Sequence, residues 1–174
     1  MNLQSWLQKT LLLLFLSATC VFADSNKVGT YNVGAAAGFV TGYGLSYRQW
    51  FDNNGIQLTL TPYYSKSSTE TYYNVSFGVT GLRMIKEANY VNLFLYYGPH
   101  FWHSYDKYPT YNYANSSSDT IARSTLLFLG GGPGFDFHFW RMSFNLMFGL
   151  AFRTDFVDNS GIQFTGETGL YYSF

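Results

Sequence analysis

The sequence predicts an all-β fold: an eight-stranded, antiparallel, up-and-down transmembrane β-barrel behind a cleavable signal peptide. Three observations predict it. The first is a two-residue hydrophobic period, cleanest over 161–174, where Ile162, Phe164, Gly166, Thr168, Leu170, Tyr172 and Phe174 share one side. Gln163, Thr165, Glu167, Gly169, Tyr171 and Ser173 share the other. Successive strand side chains point to opposite faces, so this segment is greasy on one side and polar on the other. About ten such residues, tilted about 45°, cross a bilayer. The second observation is composition. Aromatics are 21% and charged residues 11% of 174 residues, well below the roughly 25% charge of soluble domains. A mean hydropathy of −0.05 fits greasy and polar faces that cancel. The third is that the segments count to eight, the even number expected of single-chain bacterial barrels.

Residues 1–23 read as the signal peptide. Lys9 supplies the positive charge, 11–16 the apolar run, and Val21-Phe22-Ala23 the cleavage site, with the cut after Ala23. That run is too short to span a bilayer as a helix. Cys20 follows Ser-Ala-Thr, a faint lipidation motif with a poor residue before the cysteine. The mature chain, 24–174, has 174 − 23 = 151 residues in one barrel domain and no cysteine. Losing Lys9 leaves 9 basic and 10 acidic residues, which excludes a basic nucleic-acid binder.

Strand 1, about 28–39, puts Tyr31, Val33, Ala35, Ala37 and Phe39 outward. Strand 2, about 43–51, turns Leu45, Tyr47 and Phe51 out and Ser46, Arg48 and Trp50 in. Asp52-Asn53-Asn54-Gly55 is turn chemistry. Strand 3 covers about 56–65. Strand 4, about 71–84, ends at a turn near 86–89, and strand 5 covers about 90–101. A long loop rich in Tyr, Asn and Ser occupies 102–119. Strand 6, about 120–137, contains Gly130-Gly131-Gly132-Pro133-Gly134, and Leu126 and Phe128 fall on the wrong face of it. Proline donates nothing to a ladder, so a bulge or bend is expected there. Strand 7, about 141–156, and strand 8 complete the ring. The turns at 52–55, 86–89 and 138–141 fall on one side and the long loop on the other. That is the asymmetry of short periplasmic turns and longer outer loops. Aromatics form two levels: Trp50, Phe51, Tyr90, Phe139, Trp140 and Phe174 near the tight turns, and Phe39, Tyr43, Tyr64, Tyr73, Phe101, Trp102 and Phe156 near the opposite rim.

On this pattern the mature chain resembles the small eight-stranded outer-membrane barrels of Gram-negative bacteria, including the OmpA transmembrane domain and OmpX. The resemblance rests on architecture, on the terminal Leu170-x-Tyr172-x-Phe174, and on Gly44-Leu45-Ser46-Tyr47-Arg48 before a tight turn, as in porin-family first hairpins. It implies an outer-membrane address, a monomer, lipid and lipopolysaccharide around the wall, and periplasmic chaperones and the barrel assembly machinery during biogenesis. It also implies that Phe174, with Leu170 and Tyr172, serves as the assembly signal. A peptidoglycan-binding domain is not expected, so cell-wall tethering is not implied.

An eight-stranded interior is just wide enough for side chains. Arg48, Arg153, Asp136, Asp155 and Glu167 are expected inside, as ion pairs that plug the lumen, because buried charge is costly unless paired. The preferred pair is Glu167 with Arg48, and Arg153 competes. A narrow gated pore is the alternative. Tyr105, Tyr108, Tyr111 and Tyr113 in the long loop suggest surface recognition or adhesion, since Tyr, Ser and Asn favour recognition surfaces.

His100, His103, Ser104 and Asp106 raise a lipid A deacylase or acyltransferase alternative. His103 and Ser104 are strand neighbours and face opposite ways, and the deacylase His-x-Ser-Asn pattern is missing. The chain is therefore expected not to be an enzyme. His100, His103 and His138 have no recognised metal spacing, and no cofactor motif is present. A secreted lipocalin-like barrel would turn the greasy faces inward, where so many phenylalanines would overfill it.

Overall fold

The computed structural model describes residues 31–67, 71–111, 117–156 and 159–174. The expected signal peptide with Cys20 and Ala23 lies outside them, as do Tyr113 and the side chains of Tyr108 and Tyr111. Among the described residues there are eight strands: β1 (Tyr31–Ala37), β2 (Gly44–Phe51), β3 (Asn54–Lys66), β4 (Thr71–Lys86), β5 (Val91–Tyr111), β6 (Ser117–Phe139), β7 (Met142–Thr154) and β8 (Ser160–Ser173). Each pairs antiparallel with its sequence neighbours. β1 closes the ring on β8, with Asn32 opposite Ser173 and Ala35 opposite Leu170. The expected architecture is the observed one.

Alternation decides which side of the wall each residue takes. Leu45, Phe77, Leu95, Leu129, Phe148, Leu150, Phe164 and Leu170 are exposed on the outside. Phe94, Tyr96, Leu82 and Met147 are buried in the lumen with Arg48, Gln57, Asp136, Asn145 and Glu167. Tight turns cap one end. Asp52 and Trp140 sit there at φ of 52° and 59°, left-handed positions in two-residue turns.

Two expectations about β5 and β6 fail. The segment 102–119 is mostly not a loop. β5 runs on to Tyr111 and β6 begins at Ser117, in unbroken register from Tyr111 opposite Ser117 to Val91 opposite Phe137. Tyr and Thr tolerate strand conformation well, and the hairpin simply continues. The bulge expected around Pro133 is also missing. The ladder from β6 to β7 skips Gly132 and Pro133, whose ring offers no N–H, and resumes in the same register at Gly134 opposite Met147. Leu126 and Phe128 are therefore not misplaced. Strict alternation carries both into the lumen, where they are buried. The glycines make room inside: a Cβ on Gly134 would stand 2.6 Å from the Phe94 ring. The register shift lies in β4 instead, between Met84 and Lys86 against β5.

The strands end at different heights. β2 last pairs with β3 at Leu45 opposite Leu60, and β7 last pairs with β6 at Leu127 opposite Thr154. β3 to β6 continue beyond these points, so a four-stranded sheet stands above the rim.

Candidate functional site

Two polar layers fill the lumen. The one nearer the tight turns is built on Arg48 of β2. Its Nη1 donates to Asp136 Oδ2 at 3.4 Å, and its Nε and Nη2 donate to Gln57 Oε1 at 3.2 and 2.8 Å. The guanidinium lies over the Tyr171 ring, 4.2 Å from the centroid. His138 Nε2 stands 3.6 Å from the same carboxylate oxygen and contacts Asn92 Nδ2 at 2.9 Å. The cation is thus paired, hydrogen-bonded and stacked, as a buried charge requires.

The layer nearer the opposite rim is built on Glu167 of β8. Between β1 and β2 the chain does not arch outward. Residues 38–43 dip into the lumen, and Val40 and Thr41 are fully buried. Glu167 accepts from Val40 N at 3.0 Å, from Thr41 N at 2.9 Å and from Thr41 Oγ1 at 2.7 Å, and from Thr165 Oγ1 as well. Gly38 and Gly42 exchange backbone hydrogen bonds at 3.1 Å across the bend. Gly42, at φ 83°, takes a conformation other residues resist.

His100 holds the other side of this plug. Its Nδ1 lies 2.8 Å from the Phe39 carbonyl, which can only accept, so Nδ1 carries the proton. In the neutral ring Nε2 then accepts from Ser76 Oγ at 2.9 Å, and Ser76 Oγ accepts from Tyr43 N at 2.9 Å. Phe128 stacks on His100. Gly78 supplies the space: a Cβ there would stand 2.1 Å from the Thr41 carbonyl oxygen. An apolar cluster of Val40, Leu82, Phe94, Tyr96, Met147 and Ala151 fills the lumen beside the plug.

Arg48, Asp136 and Glu167 are inside, as expected. Their pairing is not as expected. Arg48 lies opposite Asn32, which lies opposite Ser173, whereas Glu167 is 173 − 167 = 6 positions back along β8. The two groups are therefore at different heights. Arg153 is no competitor either. It has inward parity, but it sits at the open mouth, exposed, lining a cleft with Asn159 to Gln163. Asp155 has left the ladder. It binds Asn159 N at 3.0 Å and Asn159 Nδ2 at 2.9 Å in the β7–β8 connection. Leu170, Tyr172 and Phe174 are exposed on the outer wall, with the Tyr172 and Phe174 rings 5.4 Å apart.

The sheet above the rim separates its side chains by face. Outward, beyond the row Leu60, Phe77, Phe101, Leu127, come three further rows. The first is Pro62, Val75, His103, Thr125; the second Tyr64, Tyr73, Tyr105, Arg123; the third Lys66, Thr71, Lys107, Ile121. Arg123 lies over the Tyr105 ring at 5.4 Å, and His103 Nδ1 meets Thr125 Oγ1 at 2.8 Å. The opposite face carries Tyr63, Asn74, Ser104 and Ser124, then Ser65, Tyr72, Asp106 and Ala122. His103 is thus separated from Ser104 and Asp106 by the thickness of the sheet, and His100 is buried below with Ser76.

The sequence reading missed Val40, Thr41, Ser76 and the His100 clasp. One signal existed: Gly38-x-x-x-Gly42-x-Gly44 offers repeated sharp bends where a plain outer loop needs none.

No protein-family model matches the chain, and no curated protein matches it. Among solved structures it is similar to the N-terminal β-barrel domain of Pseudomonas aeruginosa OprF, at 12% identity and a TM-score of 0.46, over 85% of this chain and 100% of that one. It is similar to Ail, the attachment invasion locus protein of Yersinia pestis, at 16% identity and a TM-score of 0.46, over 86% and 100%. Neisserial surface protein A (NspA) aligns at 13% identity and a TM-score of 0.40, over 86% and 100%. The barrel assignment stands on the strand pairing itself.

Proposed function

We propose that the chain is an outer-membrane protein of a Gram-negative bacterium whose work is done by the sheet above the rim, as a surface-recognition or adhesion element. The observation that carries this is the division of labour along the barrel axis. The wall is a belt of exposed Leu, Ile and Phe that water would not tolerate and lipid would. The lumen is filled by the two polar layers and the apolar cluster between them. What is left facing the exterior is a tyrosine-rich hairpin, with Tyr105 on the outward face and Tyr108 and Tyr111 further along β5; Tyr113 belongs to the same tyrosine-rich stretch of sequence.

Export follows from a signal peptide over 1–23, cut after Ala23. On the same reading the chain is a monomer, and Leu170, Tyr172 and Phe174, exposed on the outer wall, are presented to the barrel assembly machinery after escort by periplasmic chaperones. A gated pore is the weaker reading, because Phe94, Met147 and Arg48 would still block the lumen with the plug withdrawn. A lipid A-modifying enzyme is weaker again, with His103 and Ser104 on opposite faces. The wall also argues against a lipocalin-like secreted barrel, since its greasy face looks outward.

The test uses bacteria expressing the full chain or a deletion of 105–118, scored for binding to epithelial monolayers, with fractionation and heat-modifiable gel migration as controls. The deletion is expected to stay in the outer membrane and lose binding. Unchanged binding by the deletion would refute the recognition role.

A further inference from the structure

We infer that His138, Asn92 and Asp136 form an acid-sensitive latch, in which protonation of His138 moves its ring from Asn92 to Asp136 and releases the connection between β4 and β5. The latch sits at the tight-turn end, away from the sheet above the rim, and stands whether or not the adhesion reading holds. It starts from hydrogen-bond direction. The Ala88 N–H can only donate, and it meets Asn92 Oδ1 at 3.1 Å. That contact fixes which end of the Asn92 amide is oxygen. The other end, Nδ2, is therefore a donor, and it meets His138 Nε2 at 2.9 Å. Nε2 must accept, so the ring is neutral with its proton on Nδ1. Ala88, Asn92 and His138 thus form a directed chain from the connection to the mouth of the lumen. The His138 backbone N–H donates to the Tyr90 carbonyl at 2.9 Å, which ties β6 to the same connection.

The alternative partner is already in place. His138 Nε2 stands 3.6 Å from Asp136 Oδ2, on a side chain only 3% exposed. Arg48 reaches that oxygen at 3.4 Å, and Asp136 Oδ1 has no hydrogen-bond partner among the described residues. A buried carboxylate so thinly held gains from a second cation. Imidazole is the side chain that changes charge between pH 5 and 8, and the His138 side chain, 35% exposed, is open to protons at the mouth. β6 supplies Asp136, which attracts an imidazolium, and β2 supplies Arg48, which repels one. β7 places Ser143 opposite His138, and β8 places Tyr171 opposite Ser143. β5 supplies Asn92, and Lys86 and Glu87 are exposed where β4 enters the connection. When Nε2 takes a proton, two donors face each other across 2.9 Å. Asn92 can swing away, or turn its amide so that Oδ1 meets the new N–H. Either response takes Oδ1 from Ala88.

The wild-type chain is refolded into lipid nanodiscs and followed by NMR from pH 8 to pH 5, with His138→Gln and Asn92→Ala alongside. At pH 8 the His138 imidazole is expected to carry its proton on Nδ1 alone, and at pH 5 on both nitrogens. Over the same range the exchange of the Ala88 amide with water, corrected for its intrinsic pH dependence, should rise by roughly tenfold, the worth of one hydrogen bond. H138Q keeps an acceptor that cannot charge, so Ala88 should stay protected throughout. N92A should exchange fast at both ends of the range. A neutral His138 ring protonated on Nε2 would overturn the inference. So would Ala88 protection that ignores the titration of His138, a His138 still neutral at pH 5, or the wild-type response surviving in H138Q. An Ala88 amide as protected in N92A as in wild type at pH 8 would overturn it too, by showing that Asn92 does not hold the connection. Heat-modifiable migration is read first on each sample, and the wild-type readings decide alone where a variant fails to insert.

Discussion

The two buried carboxylates of the lumen solve the same problem differently. Asp136 sits beside a guanidinium, with an imidazole on its other flank. The Glu167 oxygens are held instead by two backbone N–H groups and two hydroxyls. The first arrangement joins strands β2 and β6 across the lumen. The second ties a connection between strands to the wall opposite. An ion pair fixes two elements that the barrel already fixes. A carboxylate clasping backbone N–H groups fixes a segment that nothing else would hold inside.

Removing one charge of the ion pair should have the largest effect. Arg48→Leu leaves Asp136 buried without its cation, and the expected loss is about 3–5 kcal/mol of stability in urea unfolding of the vesicle-embedded barrel. The double variant R48L/D136L should recover most of it, because a matched apolar pair has no stranded charge. A double variant as unstable as the single one would mean that Arg48 acts through Gln57 and Tyr171 instead.

Neutralising the clasp is the counterpart. Glu167→Gln keeps the shape but puts an amide donor where donors already converge, and should cost about 1–3 kcal/mol. Its distinguishing readout is hydrogen exchange: the Val40 and Thr41 amides should lose protection while the wall strands keep theirs. Unchanged protection would show that His100 and Ser76 hold the plug unaided.

Gly78→Ala attacks the plug from its socket. The new Cβ meets the Thr41 backbone rather than a movable side-chain tip, so about 1–2 kcal/mol is expected, with the same loss of amide protection and no change at Arg48. The smallest effect is Thr41→Val, which removes one hydroxyl donor to Glu167 and should cost about 1 kcal/mol. A silent T41V would mean that the backbone N–H groups carry the clasp.

The wall was legible in the sequence because a strand writes its two faces at every second residue. Phe144, Phe148, Phe164 and Leu170 could be assigned outward without knowing any neighbour. Arg48, Asp136 and Glu167 were legible as inward for the same reason, and the same parity misled at Arg153 and Asp155, where the barrel ends before the pattern does. Leu126 and Phe128 looked like errors on a face expected to be polar. Both are buried inside, and Phe128 packs its ring against Phe39 and His100 beside the plug. The hairpin past Trp102 read as loop because its Tyr, Asn and Ser suit loops and strands alike.

The sequence by itself determined the period, the number of crossings, and which faces meet lipid and which meet each other, since these follow from local backbone geometry. The tertiary structure alone decided that Arg48 meets Asp136 rather than Glu167, and that residues 38–43 turn inward. Those outcomes depend on the stagger between strands distant in sequence and on the room left inside the closed ring, which no local pattern records.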